Sequence, residues 1–282
     1  MRRVAVIGAT GQLGSDLVET FGAEAVAAFG HETLEITDDA AVRAALAPLE
    51  PAIVVNATAF HNVPRCETEE ATAYAVNAIA PRRLARFCTE IGARFVQVST
   101  DYVFDGTKHT PYDEWDAPNP QSVYGRSKLA GELELARDPA ATIVRISWVF
   151  GEHGANMVKT VLRLAAEHET LRFVDDQRGR PTAAADAADL VARLAVERLG
   201  GVVHGTNQGE VSWFEFARAV LESAGLDPSR VEPIATADLN PPRPAPRPAN
   251  SVLDDAVLRL AGLPRLPHYR ESLDRVVAAL QA

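Results

Sequence analysis

The residues with the clearest chemical potential are Tyr124 and Lys128, which lie four positions apart in Tyr124-Gly125-Arg126-Ser127-Lys128. If Tyr124 begins a helix, Lys128 lies one turn later on the same face, because residues four apart are neighbours there. A free phenol has a pKa of about 10 and is a poor acid or base at neutral pH. A neighbouring ammonium group favours the phenolate and lowers that pKa, as general acid–base catalysis requires. The pair therefore indicates a tyrosine that exchanges a proton with a substrate.

Ser99-Thr100-Asp101 lies one loop upstream of this pair. The hydroxyl of Thr100 or Ser99 could hold a carbonyl oxygen within reach of Tyr124, so the segments together predict proton delivery to a ketone. Tyrosine and lysine at this spacing are also common on amphipathic helices, where the ring is half-buried and the lysine is solvated. The rest of the chain must decide between these two interpretations.

The elements that would position these residues follow an alternating order. Short apolar runs predict strands at 4–8, 25–29, 53–56, 95–99 and 142–146, and helical patterns occupy 12–21, 38–47, 67–91 and 124–136. Strands that recur with helices between them predict an α/β fold, a Rossmann-type doubly wound parallel sheet.

The pattern is less regular after Gly151. Helices are predicted at 155–168, 183–199, 213–224 and 269–280, with short strands at 171–174 and 202–204. Five prolines between Asn240 and Asn250 exclude a helix or a central strand there and indicate an extended, ordered loop. We expect an NAD(P)-binding Rossmann domain over 1–150, which also receives part of 183–210, and a smaller C-terminal α/β substrate lobe, mainly 151–282.

The composition argues against nucleic acid and membranes as partners and favours small molecules. The formal charge of −10 over 282 residues argues against a nucleic-acid surface, which needs clustered lysine and arginine. Met1-Arg2-Arg3 leads straight into a strand-like run, and no apolar run approaches the ~20 residues that span a bilayer, so we expect a cytoplasmic protein without membrane contact. Two cysteines and seven scattered histidines lack metal-type spacing, so no metal is predicted.

A glycine-rich turn connects the first predicted strand to the first helix. It reads Gly8-Ala9-Thr10-Gly11-Gln12-Leu13-Gly14, where glycines permit a tight turn and a close approach of the backbone to a pyrophosphate at the helix N-terminus. Its context favours a dinucleotide site over a purely structural turn. The second strand ends without the acidic residue that binds a ribose 2′-hydroxyl, so NADPH is the expected cofactor and NADH is allowed. Glu35 and Ile36 are expected beside the adenine.

With these motifs together, the chain resembles the extended short-chain dehydrogenases/reductases and, among them, the dTDP-4-dehydrorhamnose reductase family. The blocks that carry the narrower resemblance are Ser99-Thr100-Asp101-Tyr102-Val103-Phe104-Asp105-Gly106, Arg145-Ile146-Ser147-Trp148-Val149-Phe150-Gly151, Asp175-Asp176-Gln177-Arg178-Gly179-Arg180-Pro181-Thr182 and Arg247-Pro248-Ala249-Asn250-Ser251. They cover nearly the whole chain in that family's order.

The resemblance implies NAD(P)H-dependent reduction of the 4-keto group of a dTDP-6-deoxyhexulose, which for dTDP-4-dehydro-L-rhamnose gives dTDP-L-rhamnose. Tyr124 would donate the proton, Lys128 would hold the nicotinamide ribose and lower the tyrosine pKa, and Thr100 would bind the carbonyl. Related 4,6-dehydratases carry an acidic pair after the threonine. Here Tyr102 follows Asp101, so reduction without elimination is expected.

The same resemblance implies further site residues. Those expected to contact the cofactor, besides the glycine turn, Glu35 and Ile36, are Asn56, Ala57, Thr58, Ala59, Asn77, Ser99, Tyr124 and Lys128. Those expected to contact the dTDP-sugar are Val63, Thr100, Asp101, Tyr102, Trp148, Asn156, Gln177, Arg180 and Arg247. Ordinary core packing is an equal alternative for Trp148, and hydrogen bonds to local backbone groups are an equal alternative for Asn77.

Two other functions stay open at this point. The segment His61-Asn62-Val63-Pro64-Arg65-Cys66 departs from the family pattern next to the expected sugar, so a 4-ketoreductase for another nucleotide deoxysugar is an alternative. A non-catalytic NADP-binding subunit, like the regulatory β subunit of methionine adenosyltransferase, is the alternative from another class. The sequence allows a homodimer and contains no motif that identifies its interface.

Overall fold

A parallel sheet of six strands forms the centre of the computed structural model, which describes residues 4–138 and 140–282. The strands are β1 (Val4–Ile7), β2 (Val26–Phe29), β3 (Ile53–Asn56), β4 (Arg94–Thr100), β5 (Thr142–Ile146), β6 (Val149–Phe150), β7 (Leu171–Val174), β8 (Arg178–Gly179), β9 (Thr182–Ala183), β10 (Gly201–His204), β11 (Val211–Ser212) and β12 (Val231–Ile234). The central order is β10-β5-β4-β3-β1-β2. The order reverses beside β1 and β3, where open α/β sheets form a ligand crevice at the carboxyl ends of their strands.

Helices cover both faces of this sheet. They are α1 (Gln12–Phe21), α2 (Asp39–Leu46), α3 (Val63–Thr68), α4 (Glu70–Tyr74), α5 (Ala80–Ile91), α6 (Val123–Leu135), α7 (Met157–Glu167), α8 (Ala184–Glu197), α9 (Trp213–Ser223), α10 (Ala256–Leu260) and α11 (Tyr269–Gln281). Successive strand residues point to opposite faces, so Val55 joins the core under α1 and α8 while Val54 joins the core under α2 and α5. The structure confirms the predicted doubly wound, Rossmann-type fold.

The predicted single helix over 67–91 is wrong. The chain instead forms α3, α4, a π-helical turn over Ala75–Ile79, and α5. Pro81 has no backbone N–H to donate to the Asn77 carbonyl, so regular α-helical bonding cannot pass through this point. Gly131 of α6 packs against the same carbonyl, and a Cβ at Gly131 would lie 2.3 Å from the oxygen. The irregular turn therefore brings α6 close to this helix.

The C-terminal part of the chain has its own core. Phe150, Val161, Phe216, Val220 and Leu273 are buried together where α7, α9 and α11 pack. Strand β7 pairs in parallel with β12, whereas β10 pairs with β5 and so extends the central sheet. Residues after Gly151 therefore contribute both to the central sheet and to the separate C-terminal core.

The proline-rich segment between Asn240 and Asn250 contacts the central domain. The Asn250 amide group donates to the Lys108 carbonyl oxygen at 2.8 Å, and a Cβ at Gly106 would lie 2.7 Å from the Ala249 nitrogen. This close contact places Arg247 beside the carboxyl end of β4. Within the described ranges, no helix is both long and apolar enough to cross a bilayer. The sequence-based interpretation of Met1-Arg2-Arg3 lies outside the described residues.

Candidate active site

Two adjoining cavities lie at the carboxyl edge of the sheet. The larger has a volume of about 840 Å³ and extends from the glycine turn to Glu35 and Ile36. The smaller has a volume of about 610 Å³ and contains Thr100, Tyr124 and Lys128. Gly11 and the segment 57–59 line both cavities, which therefore form one continuous groove.

The glycine turn brings backbone groups to the floor of the groove. Gly8 has φ +88° and donates its N–H to the Phe29 carbonyl oxygen at 2.8 Å. A Cβ at Gly14 would lie 1.9 Å from the Gly8 carbonyl oxygen, so only glycine allows α1 to begin this close to β1. Gly11 precedes α1 without a side-chain cap. The helix N-terminus therefore presents free N–H groups and positive dipole potential to an anion in the groove.

Two buried asparagines form hydrogen bonds that fix the backbone next to the groove. Asn56 donates to Gln97 Oε1 at 2.8 Å and accepts from the Thr58 hydroxyl at 2.6 Å, which fixes the turn over 57–59. Asn77 accepts from the Phe60 N–H at 2.9 Å and donates to Ser127 Oγ at 2.9 Å. Neither belongs to the described residues that line these two cavities. Asn77 thus bonds the backbone of Phe60, 17 residues away, and α6, and its role at the cofactor stays a prediction.

Tyr124 and Lys128 lie on one face of α6 and both line the smaller cavity. Ser122 caps the helix by accepting from the Gly125 N–H at 3.1 Å. A Cβ at Gly125 would lie 2.2 Å from the Tyr102 carbonyl oxygen, so this glycine lets α6 pack directly onto the end of β4. Lys128 Nζ donates to the Val98 carbonyl oxygen at 2.7 Å, and burial lowers the pKa of Lys128 to about 8.

The expected lowering of the Tyr124 pKa is wrong for this structure. Burial raises the pKa of Tyr124 well above its usual value, and Asp101 adds to the rise when it is ionised, while interaction with the Thr100 hydroxyl opposes it. The loss of hydration outweighs the other influences because a phenolate is much better solvated by water than by apolar neighbours. Tyr124 therefore stays protonated at neutral pH, which suits a proton donor.

The structure separates the roles of Ser99 and Thr100. The Ser99 hydroxyl donates to Glu132, which also forms a buried ion pair with Arg145 at 2.7 Å. The Thr100 hydroxyl instead faces Asp101, whose Oδ1 lies 3.0 Å away. Thr100 is thus the hydroxyl that remains beside Tyr124 in the cavity.

Aromatic and cationic side chains close the other side of the smaller cavity. Trp148 stacks on Trp213 with ring centroids 3.6 Å apart and planes 4° apart. A Cβ at Gly179 would lie 2.4 Å from the Trp148 indole, so this glycine makes room for the stack. Arg247 Nη1 donates to the Tyr102 hydroxyl at 2.9 Å. Val63, Asp101 and Tyr102 also line this cavity.

Three of the predicted substrate residues lie outside the lining of both cavities. Asn156 caps α7 by accepting from the Lys159 N–H at 3.2 Å, and Gln177 donates to Thr236 Oγ1 at 2.8 Å. Arg180 lies 3.8 Å from the buried carboxylate of Asp255. Their side chains face protein groups in this structure, whereas the remaining predicted substrate residues converge on the cavity.

The sequence did not predict several residues that the fold brings together from distant segments. Trp213 begins α9 and lines the smaller cavity stacked on Trp148, but no local motif marks it. Away from the groove, Asp16, Glu19 and His153 place atoms able to bind a metal within 4.8 Å of one another. His153 is remote from α1 in the sequence, so a search for local ligand spacing could not find this group.

The chain is similar to known proteins over its full length. The family model described as "RmlD substrate binding domain" matches residues 1–282. A dTDP-4-dehydrorhamnose reductase of Mycobacterium tuberculosis is 44% identical, covering 98% of this chain and 93% of that protein. A dTDP-4-keto-6-deoxy-D-glucose reductase of Streptomyces niveus is 39% identical over 98% of this chain and 97% of its own. The crystal structure of a dTDP-4-dehydrorhamnose reductase from Bacillus anthracis in complex with NADP has a TM-score of 0.94 at 36% identity and covers 99% of each chain.

Proposed function

This chain belongs to the dTDP-4-dehydrorhamnose reductase family, and from that premise we propose that Thr100, Tyr124 and Lys128 form its catalytic centre. The protein is an NADPH-dependent oxidoreductase that reduces the 4-keto group of a dTDP-4-dehydro-6-deoxyhexose, as dTDP-4-dehydro-L-rhamnose is reduced to dTDP-L-rhamnose. The observation that supports the assignment of residues is that all three side chains line one cavity that continues into the glycine turn.

The glycine turn and the larger cavity are the proposed cofactor site. Gly8, Thr10, Gly11, Gln12, Leu13 and Gly14 would hold the diphosphate, Glu35 and Ile36 the adenosine end, and Ala57, Thr58 and Ala59 the nicotinamide side. The close packing at Gly14 and the uncapped N-terminus of α1 fit such an anion. NADPH supplies the hydride when it is bound. Asn56 and Asn77 would act by fixing the lining backbone, and Ser99 by fixing Glu132.

Proton transfer to the substrate oxygen is the proposed role of Tyr124. Its raised pKa keeps the phenol protonated, so it can donate as negative charge develops on the C4 oxygen. Thr100 would hold that oxygen by a hydrogen bond directed at the developing alkoxide. Lys128, fixed on the Val98 carbonyl, would hold the nicotinamide ribose and add positive charge beside the tyrosine.

The stacked Trp148 and Trp213 are proposed to form a flat apolar wall for the deoxysugar ring. Arg247 would contact the diphosphate of the sugar nucleotide, because a guanidinium fork matches phosphate oxygens. Tyr102, which accepts a hydrogen bond from Arg247, would contact the substrate beside it. Val63 and Asp101 complete the proposed sugar pocket. A substrate role for Asn156, Gln177 and Arg180 stays a prediction, and it requires these side chains to exchange their present protein contacts for the ligand.

Three further points are part of the same proposal. Residues 1–150, with part of 183–210, would bind the cofactor, and 151–282 would mainly bind the substrate; the pairing of β10 with β5 supports the shared segment. A homodimer and a cytoplasmic location are also proposed, and sedimentation analysis and cell fractionation would test them.

The decisive experiment follows NADPH oxidation with two substrates, dTDP-4-dehydro-L-rhamnose and dTDP-4-keto-6-deoxy-D-glucose, and identifies the product sugars. We expect turnover of the first substrate to dTDP-L-rhamnose. Preferential turnover of the second would support the alternative of another deoxysugar, which the Streptomyces niveus relative favours. Binding of NADPH without oxidation by either substrate would contradict the proposed catalytic centre.

A further inference from the structure

Asp101 is a buried carboxyl group of the proposed sugar pocket, and the reduction described above gives its ionisation no role. Its side chain lines the smaller cavity and is 2% exposed. One carboxyl oxygen, Oδ1, lies 3.0 Å from the Thr100 hydroxyl, and the other, Oδ2, has no hydrogen-bond partner in the described part of the chain. A buried carboxyl oxygen without a donor is costly when the group is ionised.

The hydrogen bonds of Thr100 show what this carboxyl group controls. A hydroxyl has one hydrogen to donate and two lone pairs that can accept. Thr100 Oγ1 already accepts from the Tyr102 N–H at 3.2 Å. If Asp101 is ionised, it can only accept, so the single hydrogen of Thr100 points to Asp101 and not to a substrate oxygen. If Asp101 is protonated, it donates to Thr100 and leaves that hydrogen free for the substrate.

We propose that Asp101 is a positioning residue that acts in its protonated form, donating to Thr100 so that the Thr100 hydroxyl donates to the C4 oxygen of the substrate. This inference rests on the proposed function, in which Thr100 binds the substrate carbonyl. Asp101 keeps its proton throughout the reaction. The proton that reaches the C4 oxygen comes from Tyr124, and the hydride comes from NADPH.

Burial shifts the Asp101 carboxyl towards its neutral form. Burial raises its pKa to about 6, and the Ser251 and Thr100 hydroxyls and the more distant charge of Arg247 only partly oppose the rise, so the neutral form is a minor fraction of the free enzyme at pH 7. Tyr102 and Tyr124, the other titratable neighbours, are neutral phenols whose own pKa values are raised. A bound sugar nucleotide would add a diphosphate anion and remove water, which raises the carboxyl pKa further. Apolar surroundings can keep a carboxylic acid neutral so that it donates a hydrogen bond.

The test compares pH profiles of the wild type and Asp101→Asn with dTDP-4-dehydro-L-rhamnose and NADPH, from about pH 5 to about pH 9. The Asn amide donates to Thr100 at every pH. In the wild type, we expect kcat/KM to fall by about 10²-fold as Asp101 ionises, the loss typical of one misdirected donor to an oxyanion. The fall in kcat should lie at higher pH, because kcat reports the enzyme–substrate complex. In Asp101→Asn, the falls caused by ionisation of Asp101 should disappear, and only the fall from deprotonation of Lys128, whose pKa burial lowers to about 8, should remain as in the wild type.

Two Thr100 variants give a matched control. Thr100→Ser keeps the hydroxyl and should keep the fall, whereas Thr100→Val has no hydroxyl to redirect and should lose it. A fall at the pH where Asp101 ionises, below that of Lys128, that persists unchanged in Asp101→Asn or in Thr100→Val overturns the inference. Absence of wild-type turnover would instead count against the proposed function. Difference infrared spectra provide a readout without turnover: a protonated-carboxyl C=O band that titrates in the wild type and is missing in Asp101→Asn supports the inference, and its absence from the wild type contradicts it.

Discussion

The buried ion pair between Glu132 and Arg145 gives the sharpest prediction for how the scaffold supports the site. Both side chains are 4% exposed, and Arg145 donates to both Glu132 oxygens at 2.7 and 3.0 Å. Within the described ranges, no other carboxylate lies within 4.0 Å of the Arg145 guanidinium nitrogens. Glu132→Gln keeps the shape of the side chain and removes its charge, which leaves a buried cation without its anion.

The expected cost is large because the remaining charge cannot reach water. Removing one partner of a buried pair costs about 3–5 kcal/mol, against a total stability of about 5–15 kcal/mol for a typical domain. His204, whose Nε2 lies 3.3 Å from Arg145 Nη1, cannot compensate because it carries no negative charge. The Glu132→Gln/Arg145→Gln double variant removes both charges and should recover part of the loss.

Urea unfolding followed by circular dichroism measures the effect as a lower midpoint at an unchanged m-value. The matched control is Glu134→Gln on the same helix, whose ion pair with Arg82 at 3.3 Å has side chains 28% and 37% exposed. Such a pair contributes about 0–1 kcal/mol. If Glu132→Gln costs no more than Glu134→Gln, the buried pair does not hold this part of the fold. Because Glu132 also favours the charged form of Lys128, the variant should lose NADPH affinity at a lower pH than the wild type.

Three other predictions concern single side chains. Tyr124→Phe should reduce the turnover rate by about 10²–10⁴ with nearly unchanged NADPH binding, because it removes the proton donor alone; near-normal turnover would contradict the assignment. Lys128→Met should weaken both NADPH binding, measured by fluorescence titration, and turnover; a change in neither would mean that the lysine is merely structural. Burial and the charge of Arg145 lower the pKa of His204 from 6.5 to about 3, so the unfolded chain binds the proton first and stability is lost as the pH falls below 6.5. His204→Gln should reduce this acid sensitivity by up to about 1.4 kcal/mol per pH unit in urea titrations, and identical pH dependence in both proteins would count against a neutral buried histidine.

The central sheet was predictable because its strands are short apolar runs bounded by glycine, proline and polar residues. The predicted bounds of α1 and β3 are the observed ones, 12–21 and 53–56. The π-helical turn over Ala75–Ile79 was not predictable, because its amphipathic pattern is continuous and the irregularity reflects Pro81 and the close approach of Gly131. Helix α10 was missed for a related reason, since a five-residue helix depends on tertiary packing more than on its own sequence.

Some features of the site were also predictable from the sequence, and others were not. The motifs predicted the convergence of Thr100, Tyr124 and Lys128, because each follows from its place at a strand end or a helix start. The direction of the Tyr124 pKa shift did not follow from the motif. Spacing on a helix reveals the neighbouring lysine but not the extent of burial, and burial dominates. The contribution of Trp213 required knowledge of a contact between distant segments.

Three consecutive residues at the end of β4 connect stability to chemistry. The Val98 carbonyl holds Lys128, the Ser99 hydroxyl holds Glu132, and Thr100 reaches the cavity. Ser99 is also the cross-strand neighbour of Arg145, so the register between β4 and β5 brings together the ion pair that supports α6. A shift of β5 by one residue in this register would turn Arg145 to the opposite face of the sheet and separate it from Glu132. The catalytic geometry therefore depends on the pairing of two central strands and on an ion pair that does not line the cavity, so substitutions at Glu132 or Arg145 can alter Lys128 without touching the substrate.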